Sequence, residues 1–341
     1  MKWLFQSKPE GYTVAMLEGA KCLVTGGTGF IGRYVVRRLL SRGAKVRLSC
    51  RSHAKAQRLF GDTVETVADT ACQGIDIVYH LAGVYQFGRH ATEEMLAVNV
   101  RGTELLLEAA WKARVERFVH ISSSGVLTGN AAPLSERNFP EKVSPREPYR
   151  CSKWLSERAA LAAAARGLPV TIGSPTSPLG AEDETPTPTG KIVQDFIAGR
   201  FPFSMRTALN FVDVSELADG ILALAERGRT GERYILGHHN VWLTDFLAIL
   251  ERCADQPAPR WELPWPVVAV AGGLGEAFGS SRVCWETAQA ARKRRFYDLR
   301  KAAEELDWYG RVPIETSARA AVAWFQRPSV PTSVGVPQRA Q

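Results

Sequence analysis

Residues 22–32, Cys-Leu-Val-Thr-Gly-Gly-Thr-Gly-Phe-Ile-Gly, constrain the fold of this chain more than any other stretch. The apolar run Cys22–Val24 enters a loop with glycines at 26, 29 and 32, and an amphipathic run (Tyr34, Val35, Val36, Leu39, Leu40) leaves it. That order reads as strand, tight turn and helix. Gly26 allows the turn its unusual dihedrals, Gly29 lets the backbone approach a pyrophosphate, and Gly32 lets helix and strand pack closely. The helix N-terminus then presents free N–H groups and a partial positive charge to phosphates. A Gly-x-x-Gly-x-x-Gly spacing near the start of a chain that alternates strand and helix points to a dinucleotide site.

At 341 residues the chain can bury a large core and has room for a second, smaller lobe. The net charge of +8 suits a phosphorylated cofactor or an anionic surface. The Lys and Arg residues are scattered, with no basic stripe interleaved with aromatics, so nucleic acid is excluded as a partner. The six cysteines (22, 50, 72, 151, 253 and 284) show no paired spacing and read as free thiols in a reducing compartment. Lys2, Lys8, Pro9, Glu10 and Gly11 interrupt any signal-peptide core. The apolar stretch Trp265–Leu274 is too short to span a bilayer and is broken by Pro266, Gly272 and Gly273. A cytoplasmic protein without an integral membrane segment is expected, with peripheral membrane contact left open.

Residues 1–19 read as an N-terminal extension. Lys45–Cys50 is the second strand, followed by Arg51, Ser52, His53, Ala54 and Lys55. This position decides cofactor identity: an acid here grips a ribose 2′-hydroxyl, whereas Arg neutralises a 2′-phosphate. No acid ends the strand and Arg51 follows at once, which favours NADP(H), with NAD(H) as the alternative. Val64–Val67 and Ile75–Leu81 read as the third and fourth strands, but only seven residues separate them. That is fewer than a parallel crossover with its own helix requires. Either that helix is missing or the third strand is misplaced. His80-Leu81-Ala82-Gly83 ends the fourth strand with small residues, and a long helix over Glu93–Ala113 follows. A fifth strand, Arg117–Ser122, runs into Ser122-Ser123-Ser124-Gly125. In an open α/β sheet ligands sit beyond the carboxyl ends of strands, so the serine cluster lies where chemistry should occur.

Tyr149-Arg150-Cys151-Ser152-Lys153 leads into an alanine-rich helix, with Tyr149 and Lys153 four apart on one face. A sixth strand, Val170–Gly173, opens into Pro175-Thr176-Ser177-Pro178. The later chain turns irregular: helices over 191–198, 215–227 and 244–254, strands over 209–212 and 232–236. The fold expected is α/β, a Rossmann doubly wound parallel sheet with a smaller mixed α/β C-terminal substrate lobe. The nucleotide domain would cover 20–180 with 209–236 returning to it, the substrate lobe mainly 181–326, and 327–341 would form a flexible tail.

Hydride transfer at a carbinol or carbonyl needs a proton donor or acceptor beside the oxygen. Tyrosine, with a pKa of about 10, is too weak a base near neutral pH. A lysine one helical turn away and an oxidised nicotinamide stabilise the phenolate. A serine hydroxyl from a neighbouring strand end can hold the substrate oxygen. Tyr149, Lys153 and one of Ser122–Ser124 supply these parts.

Taken together, Thr25–Gly32 (TGGTGFIG), His80–Gly83 (HLAG), Asn99–Thr103 (NVRGT), Ile121–Gly125 (ISSSG) and Tyr149–Lys153 (YRCSK) resemble the extended short-chain dehydrogenase/reductase family over roughly residues 19–326. The resemblance implies a Rossmann sheet and a Ser-Tyr-Lys relay, in which Ser124, by its position before Gly129, best matches the catalytic hydroxyl and Ser123 is the next choice. It implies cofactor contacts from Gly26, Thr28, Gly29, Phe30, Ile31, Gly32, Arg51, Leu81, Ala82, Gly83, Ser122, Tyr149, Lys153, Pro175 and Ser177. Family members carry an Asp-Leu or Asp-Val pair for adenine after the third strand; the link here is shortened, and Asp69 is the residue placed to stand in. A homodimer packed through the helices of residues 93–113 and 152–166 is also implied.

Within that family Thr185–Ile192 (TPTPTGKI) and Glu232–Gly237 (ERYILG) look like the hopanoid-associated sugar epimerases, a group similar to dihydroflavonol reductases, cinnamoyl-CoA reductases and 3β-hydroxysteroid dehydrogenases. A nucleotide-sugar site should offer Arg or Lys for two phosphates. The stretches expected to line the pocket, containing Tyr85, Phe87, Thr187, Thr189 and Phe211 with Ser123 beside them, are instead apolar and aromatic. That favours an NADP(H)-dependent oxidoreductase interconverting a ketone or aldehyde and an alcohol on a hydrophobic small molecule. The alternatives are an epimerase with permanently bound NAD and a non-catalytic nucleotide-binding scaffold. His90, His120, His238 and His239 lack companion acids or cysteines at ligand spacing, so no metal is expected.

Overall fold

The computed structural model describes residues 17–68, 71–85, 92–129, 133–145, 147–267, 270 and 295–327. Six strands open the fold: β1 (Lys21–Thr25), β2 (Lys45–Ser49), β3 (Val64–Val67), β4 (Ile77–His80), β5 (Arg117–Ile121) and β6 (Val170–Pro175). After β7 (Ser177–Leu179), β8 (Ser204–Met205) and β9 (Ala208–Asp213) the chain returns with β10 (Arg233–Leu236), then forms β11 (His239–Trp242) and β12 (Glu262–Leu263). Seven strands make one sheet in the order β10-β6-β5-β4-β1-β2-β3, parallel throughout.

The strands are apolar on both faces because the sheet is covered on both. Cys22 and Val24 of β1, Ile77 and Tyr79 of β4, and Val119 and Ile121 of β5 face a core completed by α1 (Phe30–Ser41), α2 (His53–Phe60) and, from later in the chain, α7 (Val214–Arg227). Their neighbours Leu23, Val78 and Phe118 point the other way, onto α4 (Gly102–Ala113) and α5 (Pro148–Ala165). This is a doubly wound α/β fold, and the strand order reverses between β1 and β4. Ligands bind beyond the carboxyl ends of strands at that switch point.

The short link between third and fourth strands is explained by a missing helix, since β3 pairs with β2 over Val46↔Val64 to Ser49↔Val67. Only nine residues, 68–76, connect β3 to β4, and the described ones among them form no helix. Nine extended residues reach roughly 30 Å, enough for three strand spacings of about 4.8 Å plus one strand length.

The predicted helix over 93–113 is continuous but not uniform. A first turn, α3 (Thr92–Met95), runs into a π-helical segment, Leu96–Arg101, before α4. The wider turn places Asn99, 1% exposed, under the sheet edge. Helix α5 begins at Pro148, whose missing N–H costs nothing at a helix start, so Tyr149 lies in its first turn.

The second lobe is built on β7, β9 and β11, with α6 (Pro188–Ile197), α8 (Leu243–Cys253) and α10 (Ile314–Phe325) around a separate core that includes Phe196, Phe211, Phe246 and Val322. Two elements from the later chain belong with the large sheet. α7 (Val214–Arg227) packs along α1, tied by Arg42–Glu226 at 2.7 Å, and α9 (Arg300–Leu306) packs on α7 and β10. Among the described residues no helix is long and apolar enough to cross a membrane.

Candidate active site

The glycine loop sits at the switch point, pressed against the chain leaving β4. Gly26 has φ +72°, and a β-carbon there would lie 2.6 Å from the Ala82 amide nitrogen. A β-carbon on Gly32 would overlap the Gly26 carbonyl. Around Gly29 only the Gly26 carbonyl, at 3.1 Å, would be near. Gly29 is the N-cap of α1 and supplies no side-chain cap, and the first turn carries no acid. The first N–H groups of a 12-residue helix are thus left for an anion, which fits the pyrophosphate of a dinucleotide. Arg33, 2% exposed, backs the loop by donating to the Thr28 and Gly29 carbonyls at 3.3 Å and pairing with Glu184 at 3.2 Å. Phe30 and Ile31 are half-buried in the first turn, Phe30 set edge-on to Tyr34.

Arg51 follows β2, is exposed, and has no hydrogen-bond or ion-pair partner among the described residues. Lys55 differs: Glu184 holds its ammonium at 2.8 Å. Asp69 lies outside the described residues. Leu81–Gly83 are fixed by a buried polar chain. Thr25 Oγ1 accepts from the Ala82 N–H at 3.2 Å and bonds His80 Nδ1 at 2.7 Å, while His80 Nε2 meets Thr103 Oγ1 at 2.9 Å. Burial drives the His80 pKa down to about 3, so the ring is neutral. Pro175 ends β6 and Ser177 begins β7 at the same edge of the sheet.

Tyr149 and Lys153 come from one face of α5 and meet the end of β5. The Lys153 ammonium donates to the Ile121 carbonyl at 2.7 Å, and a β-carbon on Gly83 would lie 3.7 Å from it. Burial lowers the Lys153 pKa to about 8, against the pull of Glu157. The Tyr149 pKa is raised, burial outweighing a hydrogen bond with Ser123 and the charge of Arg295. The ring of Tyr85 stands edge-on to Tyr149 at 4.3 Å between centroids.

The three serines have different tasks. Ser123 is the one whose hydroxyl acts on Tyr149, favouring its phenolate, while its Oγ also accepts from the Gly125 N–H at 3.1 Å. Ser124, favoured from its spacing to Gly129, is 6% exposed at the start of a 3₁₀ turn, where its carbonyl accepts from the Tyr297 hydroxyl at 3.2 Å. The Ser122 hydroxyl donates to the buried Glu157 carboxylate, so its side chain is turned away from a cofactor contact.

Three residues expected in the substrate wall are structural. Phe211 is 1% exposed and stacks on Phe246 at 4.1 Å in the second core. Thr187 caps α6, its hydroxyl accepting from the Gly190 N–H at 3.2 Å and donating to Asp183 at 2.7 Å. Thr189 is buried in the same helix. Phe87 lies outside the described residues. Residues missed by sequence reasoning are Asn99, Glu157 and Arg295. Asn99 clamps the Val84 backbone (2.7 Å to its N–H, 2.9 Å to its carbonyl) and donates to Ser152 Oγ at 3.0 Å. Its only sequence signal was membership of the NVRGT motif. Among the described residues no group of three metal-ligating side chains converges.

A parallel sheet with an uncapped glycine turn at its switch point and a tyrosine–lysine pair beyond the next strands defines the class: an NAD(P)-dependent oxidoreductase. Comparison with known proteins narrows it. The model of the NAD dependent epimerase/dehydratase family matches residues 22–237, and the chain belongs to that family, in its extended short-chain dehydrogenase/reductase branch. The chain is 34% identical to a dihydroflavonol 4-reductase-like protein of Synechocystis sp., over 89% of this chain and 94% of that one. It is 31% identical to sterol demethylase protein B of Methylococcus capsulatus, over 89% and 98% of the two chains. Among solved structures it superposes on a nucleoside-diphosphate-sugar epimerase from Pseudomonas aeruginosa with a TM-score of 0.75 and 26% identity, covering 90% of this chain and 97% of that one.

Proposed function

We propose that the chain is an NADP(H)-dependent reductase/dehydrogenase that interconverts a ketone or aldehyde and an alcohol on a hydrophobic small molecule. The observation that carries this reading is Tyr149 set against Ser123, with the Lys153 ammonium one turn along α5 and held on the Ile121 carbonyl at 2.7 Å, beside a cradle that fits a dinucleotide. When bound, the nicotinamide supplies or accepts the hydride. The Tyr149 hydroxyl gives its proton to the substrate oxygen in reduction and takes it back in oxidation. The Lys153 ammonium favours the phenolate left behind and is placed to bind the cofactor ribose. Ser123, rather than Ser124, holds the substrate oxygen. Gly26, Gly29, Gly32 and the α1 N-terminus hold the pyrophosphate, with Leu81–Gly83, Pro175 and Ser177 along the sheet edge.

Unpartnered Arg51 supports NADP(H), because a 2′-phosphate needs a cation that is not already paired. The exposed Tyr85 ring beside Tyr149 and the sterol-linked relative support a hydrophobic substrate. Outward-facing Leu105 and Trp111 on α4, 59% and 40% exposed, support a homodimer through α4 and α5. A second reading, an epimerase that holds NAD permanently, draws support from the sugar-epimerase neighbour.

One experiment separates the two: denature the purified protein and identify the nucleotide released, then measure NADPH and NADH binding to the emptied site. The reductase should release little nucleotide and bind NADPH more tightly. Arg51→Ala should weaken NADPH by about tenfold or more while leaving NADH almost unchanged, the loss of one charge-assisted contact. Stoichiometric NAD would establish the epimerase reading and overturn the role of Arg51.

A further inference from the structure

Lys153 and Glu157 are four residues apart on α5 and therefore share its inner face. Glu157 is 0% exposed. A carboxylate taken out of water is costly unless paired and hydrogen-bonded. Both conditions are met: it accepts from the Ser122 hydroxyl on the α5 side of β5 and from the Arg233 guanidinium of β10. Arg233 is in turn anchored, donating to the Glu136 carbonyl at 3.1 Å and lying over the Phe139 ring at 4.0 Å. A buried ion pair thus reaches from the outer strand of the sheet to the back of the catalytic lysine.

The ionisable groups around Lys153 come from several elements: Tyr149 and Glu157 on its own helix, His80 from β4, His120 from β5, and Arg233 beyond Glu157. Burial holds both histidines neutral. Glu157 is the acid that acts on the lysine, countering the burial that lowers its proton affinity. The same carboxylate fixes Ser122, whose next neighbour, Ser123, is the serine that acts on Tyr149.

We propose that Glu157 is a positioning residue: facing Lys153 one turn behind it and gripping Ser122, it keeps the lysine an ammonium ion and sets the end of β5 against Tyr149. This rests on the catalytic reading of Tyr149 and Lys153 given above. Burial raises the Glu157 pKa, and Arg233 has the supporting task of countering that rise.

The test reads Lys153 directly, by NMR of protein labelled at lysine ¹³Cε, with the Lys153 signal assigned by its absence in Lys153→Ala. Wild type should titrate near 8. Glu157→Gln, which keeps shape and removes charge, should lower that midpoint by about one unit or more, the effect of losing one nearby charge. Because Glu157→Gln strands the Arg233 cation, Glu157→Gln/Arg233→Met is measured beside it and should show a fall in the same direction, smaller because a repelling cation is also gone. Glu157→Asp should recover part of it. An unmoved midpoint in either folded Gln variant overturns the proposal and leaves Glu157 a packing partner. The catalytic reading is tested separately with NADPH and a panel of hydrophobic ketones. If Lys153 shifts as expected but Tyr149→Phe still turns over, the lysine's partner is established and its catalytic task is not. If Tyr149→Phe is inactive and Lys153 does not shift, the proposal alone fails.

Discussion

The two lobes use the same residue types to opposite ends. In the parallel-sheet lobe, polar side chains at the carboxyl edge of the sheet keep one group toward the cleft: Tyr149 against Ser123, Lys153 on the Ile121 carbonyl beside Gly83, and exposed Arg51 without a partner among the described residues. In the second lobe, the residues that resembled a substrate wall are used up locally, Thr187 as a helix cap and Phe211 in a stacked core. The difference teaches that a side chain is available for chemistry at the open carboxyl edge of the sheet, even where it also caps a turn as Ser123 does, and unavailable once a packed core encloses it as it does Phe211.

Four measurements can break or sharpen that contrast. Tyr149→Phe should lower turnover on a hydrophobic ketone by about 10⁴-fold, the upper range for a general acid, while NADPH binding and unfolding free energy stay near wild type. Loss of cofactor binding alongside turnover would move Tyr149 into the structural group. Phe211→Ala should do the reverse, lowering the unfolding free energy by about 3–5 kcal/mol in chemical denaturation, with folded enzyme retaining its KM. A changed KM at unchanged stability would return Phe211 to the substrate wall. Ser123→Ala should reduce turnover by about 10²-fold and Ser124→Ala far less; the opposite order would restore the assignment drawn from spacing.

The smallest effect concerns the buried polar chain under the site. His80 titrates near 3 in the folded protein against an ordinary 6.5, so the unfolded chain binds a proton that the folded protein refuses. Stability therefore falls as pH drops below 6.5, and the loss continues to about 3. Between pH 7 and 5 it amounts to about 2 kcal/mol for His80, from 1.36 kcal/mol per unit. His120, also held neutral by burial, adds in the same direction. Denaturation curves at the two pH values check this, and His80→Gln should flatten the difference.

Local physics determined a good deal unaided. The glycine spacing served a tight turn into a helix, and the alternation of strands with helices implied a parallel sheet. A four-residue interval placed Tyr149 and Lys153 together, and an absent acid after β2 left Arg51 free. Each of these follows from dihedral limits, helical pitch or charge within a few residues. Tertiary structure decided the rest. Which serine meets Tyr149 depends on how the end of β5 bends over α5, a matter of fractions of a turn. The π-helical widening that brings Asn99 to Val84 has no signature in periodicity. Lys55 and Arg51 look alike until Glu184, more than a hundred residues later, takes one of them. Nothing local in the sequence singles out Glu157 and Arg233; the parallel order β5-β6-β10 brings them together out of water, where a pair that would count for little outside is placed behind Lys153.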